Sequence, residues 1–91
     1  MQHTNSKKAQ IVIQTLGQIV KEKREKLGKS QRLLADEYDV EKSLVNRIEK
    51  ATNEPKLISI FTISELLKMK PSELILEVEK RLPKDFSVLE D

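Results

Sequence analysis

The sequence contains no cysteine and no tryptophan, one histidine, one tyrosine and two phenylalanines in 91 residues. Without thiols there is no disulfide framework and no thiolate metal site. The lone histidine, His3, stands in a polar terminal stretch, so neither a histidine metal centre nor a histidine-based triad is expected. With only two glycines there is no glycine-rich phosphate loop, and no nucleophile–base pair is evident. Hence no catalytic residue, no metal and no cofactor is predicted, and the chain is read as something other than an enzyme. Long apolar runs are missing as well. Nothing approaches the ~20 residues of a membrane span, and MQHTNSKKAQ lacks a signal-peptide core. A soluble cytoplasmic protein without membrane contact is the expectation.

What is present is charge, and it is unevenly spread. Seventeen basic and fifteen acidic residues leave a net +2. Residues 1–30 carry seven basic and two acidic side chains, whereas residues 57–91 carry five and seven. The chain is thus basic at one end and mildly acidic at the other, a polarity that would orient it on nucleic acid only loosely. A single domain of this length buries roughly 60–65% of its unfolded surface, so oligomerisation would help it.

Apolar residues recur at helical spacing from end to end. Val12, Leu16, Ile19, Val20 and Leu27 make one stripe of a long amphipathic helix from about Ala9 to Gly28, with Lys23 contributing its methylenes. Gly17 interrupts it at a cost of about 1 kcal/mol. Ile11 and Ile13 fall off that stripe, and Ala9–Thr15 is either the opening of the same helix or a separate short one. Ser30 is placed to cap a second helix, from about Gln31 to Tyr38, with Leu34, Ala35 and Tyr38 on one face. Asp39 marks a break, and Val40 plugs the angle to a third helix from Lys42 to Lys50. Its Leu44, Val45 and Ile48 face inward, while Lys42, Ser43, Asn46 and Arg47 face out. A fourth helix, about Lys56 to Leu67, presents Leu57, Ile60, Ile63, Leu66 and Leu67 inward. Pro71 suits the first position of a fifth, running to about Leu82 with Leu74, Ile75, Val78 and Leu82 aligned. The boundaries are then residues 1–8 as a flexible N-terminus, 9–82 as the domain, and 83–91 as a C-terminal tail.

Within Leu27–Ala51 the order Ser30-Gln31, Leu34-Ala35, Asp39-Val40-Glu41, Val45, Ile48-Glu49-Lys50-Ala51 resembles the helix-turn-helix domain of the Cro/C1-type (XRE) repressor family. The resemblance covers about Leu16 to Leu76. It implies an all-α, five-helix phage-repressor-like (lambda repressor-like) fold, here with an N-terminal helical extension. Three positions depart from the family pattern: Asp39 and Ala51 replace glycines, and Glu41 replaces a Ser/Thr cap. An alanine at positive φ costs about 1 kcal/mol, so the third helix is expected to end differently, with Asn53 taking the left-handed position.

The resemblance also implies double-stranded DNA as partner. Position-matched base readers are Lys42, Ser43, Asn46 and Arg47. Arg47 can offer two N–H donors to guanine, Lys42 can donate to the same edge, and Ser43 can donate or accept. Phosphate contacts are expected from Gln31, at a helix N-terminus, and from Arg32, Lys50 and Lys56. Glu49 is read as structural, paired with Arg24. The implied function is a sequence-specific transcriptional regulator of repressor type, placing its third helix in the major groove as a homodimer on a palindromic operator. Leftover apolar residues (Ile11, Ile13, Leu76, Phe86, Val88, Leu89) supply material for the two-fold interface. Two alternatives stay open. One is an antitoxin of a toxin–antitoxin pair, meeting a protein partner through the C-terminal tail. The other is a helical interaction module that has lost DNA binding, for which Asp36, Glu37 and Glu41 speak.

Overall fold

The computed structural model describes residues 6–89, which form five helices: α1 Lys7–Lys26, α2 Gln31–Asp36, α3 Lys42–Lys50, α4 Leu57–Leu66 and α5 Pro71–Arg81. The stretch Ala9–Thr15 belongs to one continuous α1. That helix opens two residues earlier than the apolar stripe suggests, because Ser6 caps it, its Oγ accepting the Ala9 N–H at 3.1 Å. Lys7 and Lys8 are therefore helical; residues 1–5, expected to fray, lie outside the described residues. Ser30 caps α2 as expected, Oγ accepting from the Leu33 N–H at 3.0 Å. Glu73 reaches back to the Lys70 N–H at 2.7 Å, and Pro71 occupies the first turn of α5, where a missing N–H costs nothing.

The core gathers residues from every helix: Leu16, Ile19 and Val20 of α1, Leu34 and Ala35 of α2, Val45 and Ile48 of α3, Ile63 and Leu66 of α4, and Leu74 and Val78 of α5. Gly17 has a reason to be there. A Cβ on it would lie 2.6 Å from the Ile48 carbonyl oxygen and 2.9 Å from that of Glu49. The glycine lets α1 cross against the backbone of α3, and the propensity lost in one helix fixes the placement of another.

Five expected positions turn out otherwise. Leu27, the last residue of the α1 stripe, is exposed at the helix C-cap. Leu57 is exposed, since it opens α4 before any element covers that turn. Ile75 is exposed because α5 buries the turns of Leu74 and Val78. Tyr38 lies beyond the end of α2 on the surface, where its hydroxyl accepts from Lys68 Nζ at 3.1 Å and its ring carries that ammonium 5.5 Å from the centroid. Ile13, off the main stripe, is buried, because the loop at Pro55, Ile60 of α4, Val78 of α5 and Val88 of the tail gather beside the N-terminal half of α1.

Four helices stop in the same way. Gly28, Asp39, Ala51 and Lys68 all have positive φ, from 54° to 72°. In each case the next N–H reaches back five residues: Lys29 to Arg24, Val40 to Ala35, Thr52 to Arg47, and Met69 to Ser64. These are Schellman ends, and Val40 and Met69 supply the accompanying apolar contact with the core. So Ala51, not Asn53, takes the left-handed position. The tertiary surroundings offset its strain: the residue is buried, and its carbonyl accepts from Gln10 Nε2 on α1 at 3.0 Å.

Candidate nucleic-acid interface

Two short helices present this surface, and one buried ion pair holds them. Arg24 of α1 is only 9% exposed. Its Nε donates to Glu49 Oε2 at 2.6 Å and a terminal nitrogen donates to Oε1 at 3.0 Å, a two-pronged contact. The other terminal nitrogen donates to the Lys29 carbonyl at 2.7 Å, tying down the turn before α2. The hydrogen bonds to Glu49 raise the Arg24 pKa further above its already high ordinary value. The expected Arg24–Glu49 pairing is present.

The chain of contacts continues outward. Gln31 Nε2 donates to Glu49 Oε1 at 3.0 Å, and Asn46 Nδ2 donates to Gln31 Oε1 at 3.1 Å. Gln31 and Asn46 are half-buried and bridge α2 to α3. Neither is a free side chain waiting for a ligand; the pair aligns the two helices. The spacing held part of this signal: Asn46 and Glu49, three apart on a helix, share a side facing the start of α2. Nothing in the sequence announced the role of Gln31 between them.

Lys42, Ser43 and Arg47 are exposed on successive turns of α3. Among the described residues no ion pair takes up Lys42, Arg47, Lys50 or Lys56. By contrast, several nearby carboxylates are occupied. Glu37 binds Lys29 at 2.6 Å, Asp36 faces Arg32 at 3.8 Å, and Glu49 is neutralised by Arg24. Each of these pairs cancels one cation against one carboxylate, so the charge of the surface is carried by the groups outside them. Asp39, Glu41 and Glu54 are in no ion pair among the described residues; Glu41 is the N-cap of α3 without a cap bond through its side chain, and its Oε2 accepts from Ser43 Oγ at 3.3 Å. Lys56 stands at the N-cap of α4 and shares a groove with Arg47, Asn53, Glu54 and Ser59. Lys50 is in the last turn of α3. Arg32 projects from α2, 80% exposed, paired along its own helix rather than with the α3 group.

Five helices, with a second and third joined by a tight turn and a polar outer face on the third, define the phage-repressor-like class of DNA-binding folds. A helix-turn-helix family model matches residues 20–74, more than half of the chain. The protein belongs to the Cro/C1-type (XRE) helix-turn-helix family, a family of DNA-binding regulators. Comparison with curated proteins gives no match, and comparison with solved structures gives none either. No helix among the described residues is long and apolar enough to cross a membrane.

Proposed function

We propose that this protein is a cytoplasmic, sequence-specific transcriptional repressor that binds an operator as a homodimer, residues 9–82 forming the DNA-binding unit. The α3 helix enters the major groove. Lys42, Ser43, Asn46 and Arg47 read base edges, and Gln31, Arg32, Lys50 and Lys56 contact phosphates. One observation carries the reading: the cations of the outer α3 face are in no ion pair, while a chain running from buried Arg24 and Glu49 to half-buried Gln31 and Asn46 holds that helix in place. Preorganised donors cost less to order on binding. Asn46 keeps its Oδ1 and Gln31 the second N–H of its Nε2, so both can meet DNA without breaking the bonds to each other and to Glu49. Ser43 accepts more readily than it donates, since its proton is directed at Glu41.

Selection from random duplexes, followed by footprinting, tests the reading directly. It should return a palindrome with half-site centres about one helical turn apart. Arg47→Ala should relax preference at one base pair per half-site and cost about 1–3 kcal/mol there. Lys56→Ala should weaken all sequences alike and flatten the salt dependence. Equal effects from the two variants would refute the assigned roles, and failure to enrich any sequence would refute the function.

A further inference from the structure

At the N-cap of α3 a carboxylate stands among groups assigned to DNA. Glu41 is exposed, is in no ion pair among the described residues, and makes no cap bond to the helix it opens. Its side chain is nevertheless placed. Oε2 accepts from Ser43 Oγ at 3.3 Å, which brings the carboxylate to the outer side of the first turn, beside Ser43. Lys42 is exposed and in no ion pair either. The leading end of α3 thus carries opposite charges on neighbouring residues, neither cancelled by a partner within the described chain.

Base edges in the major groove treat these charges differently. An ionised carboxylate only accepts, so guanine O6 and N7 and thymine O4 repel it. Its partners there are the amino groups, cytosine N4 and adenine N6. Adenine sets its own N7 acceptor beside that amino group, whereas cytosine brings no acceptor to this edge. Across a C·G pair the N4 donor stands next to the O6 and N7 acceptors of the paired guanine. We propose that Glu41 is a specificity-determining residue, its carboxylate accepting from cytosine N4 at one position of each half-site while Lys42 donates to the paired guanine. This assignment rests on the DNA-binding reading above and deepens it by one base pair. It also accounts for a negative charge at a surface that meets phosphates. Glu41 weakens binding to every sequence, and only where an amino group meets it does a charge-assisted hydrogen bond offset that repulsion. Wrong sequences are thereby rejected as well as right ones held.

Selection from random duplexes with the full chain and with Glu41→Ala, followed by affinity measurements at one salt concentration, tests the assignment. The unmodified protein should enrich cytosine at a half-site position that Glu41→Ala leaves unselected. Replacing that C·G pair by T·A should weaken the unmodified protein at least about tenfold and the variant less than about twofold. Glu41→Ala should also bind unrelated duplex more tightly, since a negative charge is gone. Glu41→Gln, which both donates and accepts, should take adenine there in place of cytosine. Because Glu41 makes no cap bond, the helical circular dichroism of these variants should match that of the parent. If Glu41→Ala loses helical signal, Glu41→Ser, which also lacks the carboxylate and can cap α3, carries the same comparison. Tighter binding to all sequences with base preferences unchanged would overturn the assignment, leaving Glu41 a merely repulsive group. So would a cytosine preference of equal strength in the parent and in Glu41→Ala. Enrichment of no sequence by the unmodified protein would refute the DNA-binding reading and this assignment with it, whereas enrichment indifferent to Glu41 would refute this assignment alone.

Discussion

Arg24 and Glu49 show what one buried pair does in a domain this small. The guanidinium joins three segments: α1, the turn at Lys29, and the inner side of α3. Removing it would strand a carboxylate whose side chain is 5% exposed. The loss of one partner of such a pair costs about 3 kcal/mol or more. Arg24→Met should therefore lower the melting temperature by more than about 10 °C, read by thermal circular dichroism; an unchanged melt would reject the pairing. The raised Arg24 pKa adds no pH dependence of its own. That stability would be lost only as pH rose through a value beyond the range in which the domain is handled. Asn46 and Gln31 should loosen as well, so the variant's residual DNA binding should lose base preference before it loses salt-dependent affinity.

At the scale of helices, the ends are where this chain departs from its family. Of the four left-handed caps only Gly28 is a glycine; Asp39, Ala51 and Lys68 accept positive φ at a cost. Asp39 is the cleanest test, being exposed and engaged in no side-chain hydrogen bond or ion pair among the described residues. Asp39→Gly should stabilise the domain by about 0.5 kcal/mol, a rise of a few degrees in melting temperature. It should also strengthen non-specific DNA binding by removing a negative charge near α3. A fall in melting temperature would mean that the aspartate contributes something other than backbone strain. Ala51 would not be so simple, because its burial and the Gln10 contact bind it to α1.

Over the whole molecule, the segregation of charge along the sequence becomes contact between its ends. Basic α1 and acidic α5 lie side by side: Lys23 near Glu77 at 3.8 Å follows the segregation, whereas Arg81 on Glu22, through two hydrogen bonds, one of 2.9 Å, joins the minority charges of the two helices. The bond from Arg81 holds the Glu22 carboxyl below the usual glutamate range. A group whose folded pKa is depressed stabilises above its unfolded value and ceases to as pH falls through the folded one. Arg81→Gln should thus melt slightly below the parent at neutral pH and low salt. The gap should close as pH drops below the ordinary glutamate value, and also in 1 M salt. A gap that persists under both conditions would show packing by the arginine stem rather than charge.

Periodicity and capping chemistry alone determined the five helices. The limits of α3, the Ser30 cap, the Pro71 start and the inward Val45 and Ile48 could all be read from neighbours a few residues away, because helix geometry is local. The Arg24–Glu49 pair was legible through the family pattern, which carries tertiary information that one chain's spacing does not. Only the folded chain decided the rest. Gly17 reads as a flaw until the carbonyls of Ile48 and Glu49 are seen against it. Ala51 reads as an obstacle until Gln10 and the core are placed around it. Ile13, Ile75, Leu57 and Tyr38 could not be sorted into inside and outside by stripe alone, since exposure depends on which element happens to lie across each turn. An apolar cavity beside α1 is the extreme case: its walls come from residues up to 79 positions apart, Ala9 to Val88, which only the three-dimensional path of the chain brings together.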